Sequence, residues 1–274
     1  MLRIWLLLFL CLTPVMAVKL DDVWKVLTDG AAETNANKRK LALSSLAIAG
    51  PNPRAVTLVA SLLKDKEVDV RETAAAVLGE MNSRAAIPML LDALDDEAPE
   101  VNFAAARSLW NLGDRRGKDV LLAVLAGERG VSAGIVKGTM RDARKRLRDP
   151  AGLAMLGAKE GAGMFLGPAA MGFVVFEELR KDGSAWARIL AVETVTKGAN
   201  PAANKVLEEA LEDKSWLVRV AVLKALAFRG SRASIPKIEA LLDDKHDGAR
   251  YSAAAALVRI EAAAPRRAVK PVGK

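Results

Sequence analysis

The sequence predicts an all-α fold, a solenoid of stacked helix–turn–helix units, and three observations carry that prediction. Alanine, leucine and valine dominate, with 27% of residues charged and 4% aromatic, which suits packed helices rather than a β-sandwich. The chain copies itself with a period of 31 residues. Within each copy, apolar residues recur at helical spacing in two runs of about a dozen residues, parted by a turn with Gly, Pro or Asn.

The N-terminal stretch MLRIWLLLFLCLTPVMAVKL comes first. One positive charge at Arg3, an apolar run from Ile4 to Leu12 and the small-residue pattern Val15-Met16-Ala17 follow the order of a secretory signal. The run is short for a bilayer span, so residues 1–17 are expected to be a signal peptide cut after Ala17. Cys11 offers a lipoprotein alternative, although Leu8-Phe9-Leu10 lacks the small residue that normally precedes a lipidated cysteine. Cleavage leaves no cysteine, so the mature chain is expected to hold together by burial alone. The formal net charge of +8 points, for an exported protein, to anionic lipid, envelope polymers or acidic proteins. The expected location is periplasmic or secreted.

Residues 18–35, containing LDDVWKVLTD, are expected to form a lone helix capping the first unit. The solenoid follows over 36–263. Its first copy is ANKRKLALSSLAIAGPNPRAVTLVASLLKDKE from Ala36; VDVRETAAAVLGEMNSRAAIPMLLDALDDEA starts at Val68 and PEVNFAAARSLWNLGDRRGKDVLLAVLAGER at Pro99. Further copies start at Ala185 and Trp216. A last helix, GARYSAAAALVRIEAAA, precedes the basic, proline-containing tail 264–274, expected to be disordered. The total is about six and a half units in one domain.

Polar positions repeat with the apolar ones. Asp65, Asp96, Asp182, Asp213 and Asp244 each precede by six residues Arg71, Asn102, Arg188, Arg219 or Arg250. A carboxylate at the end of one helix pair can accept amides at the next helix N-terminus and face that helix's guanidinium, making a ladder along the stack. Asn102 departs from the pattern, so its junction is expected to lack an ion pair. This arrangement resembles the HEAT-repeat family, in particular its short bacterial HEAT-like branch, over nearly the whole mature chain. The resemblance implies a right-handed, curved α-solenoid in which these Asp and Arg positions are structural. It implies little about function, because the fold serves many tasks.

Between Asp96 and Asp182 lie two repeat lengths and 24 further residues. The fourth repeat is therefore enlarged, with an insert at about 150–166. GPAAMGFVVFEELRKD, from Gly167, reads as that repeat's second helix, which leaves Met164, Phe165 and Leu166 in a glycine-rich insert as a candidate apolar binding element. The preceding helix carries Lys137, Arg141, Arg144, Lys145 and Arg148 on one face, and residues 131–149 sum to +4. That stripe suits an anionic surface. The alternatives are that the insert refolds into the core and that the stripe is a solvated outer face.

Catalysis draws little support. His246 is the sole histidine and reads as a turn residue beside Asp243, Asp244 and Asp247. Ser44, Ser45, Ser231 and Ser234 have no histidine adjacent in sequence, and no metal site, cofactor or triad assembles. Trp186 and Trp216 read as packing against the adjoining repeat. The leading expectation is a non-enzymatic scaffold or adaptor that binds a protein or envelope component on a concave face lined mainly by second helices. The second is binding to an anionic membrane surface through the insert and the basic helix. An enzyme of the HEAT-like lyase or glycosylase type is the third, disfavoured by the export signal. Nucleic acid is not an expected partner.

Overall fold

Helices begin where a cap meets an apolar-periodic run. The computed structural model describes residues 19–125, 182–198, 200 and 202–263. In the N-terminal half these form α1 (Leu20–Ala31), α2 (Ala36–Leu46), α3 (Pro53–Ser61), α4 (Val68–Glu80), α5 (Ile87–Asp92), α6 (Pro99–Asn111) and α7 (Lys118–Leu125). The C-terminal half contributes α8 (Ala185–Lys197), α9 (Ala203–Glu209), α10 (Trp216–Arg229), α11 (Ile235–Glu239) and α12 (Asp247–Ala262). Asn35 and Asn52 each accept two backbone amides at the starts of α2 and α3, satisfying donors that a helix N-terminus leaves open. Asp21 and Asp22 place negative charge in the first turn of α1.

Four units pair a long first helix with a short second one that tightens into a 3₁₀ turn, as at Leu62–Lys64 and Ala210–Glu212. The first helices α4, α6 and α10 stop at a left-handed residue. At Gly230 (φ 64°), the Gly230 amide donates to Ala227 and the Ser231 amide to Leu226, closing the last turn. Asn82 is the non-glycine at the equivalent place in α4, with φ 51°, tolerated because its short polar side chain suits that region.

First helices pack on first helices. Alanine runs at Ala74–Ala76, Ala104–Ala106 and Ala253–Ala256 are buried and let the axes approach. Helices α4 and α6 come close at Gly79, where a β-carbon would lie 2.5 Å from the Ser108 hydroxyl oxygen. That hydroxyl donates to the Ala75 carbonyl at 2.8 Å. The short second helices mostly touch the first helix of the following unit. The α10 helix also reaches the Ala47–Ala49 turn after α2, and the Glu80 carboxylate of α4 acts on the Lys224 ammonium of α10. First helices therefore converge on the inside of the curve. The inner face belongs to them, not to the second helices as expected from the sequence.

The spatial order of first helices is α8, α10, α12, α2, α4, α6. The C-terminal half thus stacks ahead of the N-terminal half, and the first and last described helices, α1 and α12, meet in the middle. The α1 helix packs on both α12 and α2, the place a second helix occupies between successive first helices. It is not a lone cap: it completes the unit that α12 begins. Val23, Trp24, Leu27 and Ala31 are buried there. Gly30 admits the Tyr251 ring, 2.6 Å from where a β-carbon would stand. Across the same seam the buried Ser45 and Ser252 hydroxyls hydrogen bond at 3.0 Å, and Arg259 Nη1 donates to the Ile48 carbonyl at 3.2 Å.

Because Leu27 is fully buried at this seam, Leu27→Ala is expected to cost about 2–5 kcal/mol in urea denaturation. Hydrogen exchange should rise in α12, more than two hundred residues away in sequence, as much as in α2.

Candidate interaction face

Arg39, Arg71, Asn102, Arg188, Arg219 and Arg250 each occupy the fourth residue of a first helix. Four of the arginines make the same fork. Arg39 Nε and Nη2 donate to Asp65 at 2.8 Å each, Arg71 to Asp96 at 2.8 and 3.0 Å, Arg188 to Asp213 at 2.6 and 2.9 Å, and Arg219 to Asp244 at 2.7 Å twice. The carboxylate is thus held by the arginine 25 or 26 residues before it. The arginine six residues after it, which the sequence spacing put opposite it, instead donates Nη1 to the aspartate's backbone carbonyl, at 3.0 Å for Arg71, 2.7 Å for Arg219 and 2.9 Å for Arg250. Each carboxylate also takes the amide two residues on, as Asp96 does from Ala98 at 2.8 Å.

Arg188 differs, bridging Asp213 and, at 2.9 Å, the Asp182 carboxylate. Asn102 donates to the Leu94 and Asp96 carbonyls at 2.7 and 2.8 Å, keeping the backbone contact without a charge. At the seam, Arg39 donates to the Glu33 carbonyl at 2.8 Å, so Glu33 stands where a ladder aspartate stands elsewhere. Lys38 lies 3.5 Å from the Glu33 carboxylate and 3.3 Å from that of Asp247, while Asp247 also pairs with Arg250. A network replaces the fork where α1 and α12 meet.

Burial is the largest influence on the Asp65, Asp96 and Asp244 carboxyls and raises their pKa values. The guanidinium partner and a backbone amide outweigh it and hold each below the ordinary carboxylate range. For Asp182 the Arg188 guanidinium and the Ser184 hydroxyl dominate and hold it well below that range.

His246 is the N-cap of α12. Its Nδ1 accepts the Gly248 amide at 3.1 Å, and its ring stacks on Trp216 with centroids 3.9 Å apart. Gly248 cannot carry a side chain, since a β-carbon would meet the Trp216 ring at 2.7 Å. Trp216 thereby packs on the adjoining unit. Ser231 and Ser234 share a hydrogen bond at 2.7 Å, and Ser234 donates to Glu208. Ser45 serves the seam. These side chains are engaged in joining units.

The register defines the inner face. Nine residues after the ladder position of successive first helices stand Lys197, Phe228, Arg259, Ile48, Glu80 and Asn111; five after it stand Glu193, Lys224, Ala255, Ser44, Ala76 and Arg107. The Arg259 guanidinium lies 3.9 Å from the centroid of the Phe228 ring, and the Lys224 ammonium 6.0 Å from it. Burial pushes Lys224 below the ordinary lysine range, countered by Glu80 and Glu193. Phe228 remains 54% exposed. Sequence reasoning did not single out Arg39, Glu33, Phe228 or Arg259. Arg39 precedes Arg71 by 32 residues and Phe228 precedes Arg259 by 31, a spacing that marks all four once the repeat is set against the seam.

The candidate residues Lys137, Arg141, Arg144, Lys145, Arg148, Met164, Phe165 and Leu166 lie outside the described residues, as do the insert at 150–166, Cys11 with residues 1–17, and the tail 264–274. Among the described residues, no group of three acidic, histidine or cysteine side chains is placed to hold a metal, and no helix is long and apolar enough to cross a membrane.

Asp96→Asn removes the forked counter-charge of the buried Arg71 guanidinium, leaving only the exposed Glu97 carboxylate at 3.5 Å, and is expected to cost about 3–5 kcal/mol at neutral pH. A depressed native pKa contributes stability in full above the ordinary aspartate range and loses it as pH falls through the native value. Urea denaturation followed from neutral to strongly acidic pH should therefore show wild type losing stability in acid and the gap to Asp96→Asn narrowing.

The family model described as HEAT repeats matches residues 24–109, 55–133 and 174–258. The structure of human deoxyhypusine hydroxylase is similar at 22% identity, over 89% of this chain and 96% of that one, with a TM-score of 0.32. An engineered protein is similar at 18% identity, over 88% and 97% of the two chains, with a TM-score of 0.27. No curated protein sequence matches. At these TM-scores neither likeness bears on activity. The family matches span most of the chain and agree with the helix pairs and their ladder, and on that ground the chain belongs to the HEAT-repeat family.

Proposed function

We propose that this protein is an exported, non-enzymatic adaptor that binds a protein or envelope component on the inner face of its first helices. The observation that carries this reading is the exposure of Phe228 at the C-terminal end of a first helix, in a row that faces inward. Large aromatic rings left open on a stacked framework are what binding anchors are made of. The ladder carboxylates and guanidiniums, by contrast, are engaged in holding units together, which leaves them a structural part.

Export rests on the order of charge, apolar run and small residues in 1–17. The start of α1 at Leu20 supports it, because cleavage after Ala17 leaves a free end that still includes the whole seam helix. Intact-mass measurement of protein from its native host should give a chain starting at Val18. A chain that keeps Met1 and fractionates with the cytoplasm refutes export and reopens the enzymatic reading.

Crosslinking pull-down from the native envelope should recover a discrete protein partner with wild type. Sedimentation with anionic vesicles, in the absence of any such partner, would replace the adaptor reading with membrane-surface binding.

A further inference from the structure

Arg259 differs in kind from the ladder arginines. Each of those donates to at least one carboxylate, whereas Arg259 has a single bond among the described residues, from Nη1 to the Ile48 carbonyl. Burial alone shifts it, lowering its pKa, with no opposing carboxylate. Its position is nevertheless fixed. Gly50 (φ 66°) makes the space: a β-carbon there would lie 2.4 Å from Arg259 Nη1. On the other side the guanidinium rests on the Phe228 ring. Phe228 has no core role to explain it. Leu226 and Ala227 beside it are buried, while its own ring stays more than half exposed.

A half-buried guanidinium laid on an aromatic ring, with one edge tied to a carbonyl and the other edge unused among the described residues, is a carboxylate receptor set in advance. The Lys224 ammonium stands beside the ring and is countered by Glu80 and Glu193, so the charge offered to a ligand carboxylate is that of Arg259, whose one bond is to a carbonyl. The open ring supplies an apolar contact that a bare inorganic anion has no means to use. We propose that Arg259 and Phe228 form the anchor for an acidic peptide segment of the partner protein, with a glutamate or aspartate carboxylate on the free guanidinium edge and an apolar neighbour against the phenyl ring. This deepens the adaptor reading and rests on it.

The probe is a short fluorescein-labelled peptide alternating glutamate with leucine, followed by fluorescence polarisation on the full mature chain. Its glutamine counterpart is expected to bind about tenfold more weakly. Arg259→Gln should weaken the glutamate peptide about tenfold or more, Arg259→Lys several-fold because the fork is lost, and Phe228→Ala about three- to tenfold. Since Arg259 also touches Ile48, Phe228→Ala is the variant that leaves the seam bonds in place. Equal binding of the two peptides by wild type, no binding of either, or unchanged binding in Phe228→Ala and Arg259→Gln overturns the anchor. So does displacement by inorganic phosphate as readily as by free glutamate, which would mark a phosphate site. In the envelope pull-down, loss of the partner from both variants is expected. Undiminished recovery refutes the anchor while leaving the adaptor reading intact, and failure of wild type to recover any partner refutes the adaptor reading itself.

Discussion

A buried guanidinium must be matched by a carboxylate, and that requirement sets the geometry of this stack. Arg71 and Arg219 are nearly inaccessible to water, so each needs its charge and its donors satisfied within the protein. The fork to the aspartate that ends its own helix pair does this, and Nη1 takes the carbonyl of the turn before. One side chain thus pins both turns that flank a unit. The unit can neither lengthen nor shift without leaving a charge unpaired in the interior, which is a physical reason for a period that scarcely varies where the ladder is complete.

The seam meets that rule differently. Arg250 begins a unit whose second-helix place, among the described residues, is taken by α1, and Glu33 occupies the place that a ladder aspartate holds elsewhere. The fork is not reproduced: Lys38 bridges Glu33 and Asp247 instead. Burial takes over from the ion pair, through Leu27, Trp24 and the Tyr251 ring against Gly30. The described stack is therefore continuous in space although its first and last helices in sequence, α1 and α12, lie at its middle.

Closure also decides which surface faces inward. Alanine-rich first helices approach closely while second helices spread on the outside, so side chains five and nine residues after the ladder position are gathered on the inner face. Arg259 on α12, Phe228 on α10 and Ile48 beyond α2 come together only because α12 sits between α10 and α2. Two halves of the chain contribute to that one cluster.

The all-α class, the helix pairs, the period and the ladder positions other than Arg39 and Glu33 were legible in the sequence, because they are local: 3.6-residue periodicity, caps such as Asn52, and left-handed stops such as Gly230 are written within a dozen residues. The ladder's connectivity was not, since a spacing of six residues and one of twenty-five are equally visible in a repeat, and only packing shows which reaches the carboxylate. Nor was the role of α1, whose apolar stripe says that it needs a partner without saying which. That choice is made by shape across more than two hundred residues, Gly30 opening room for Tyr251 and Gly50 for Arg259. The sequence by itself determined what each unit is; the tertiary structure alone decided that the last unit is finished by the first helix, because complementarity between distant surfaces has no signature in local spacing.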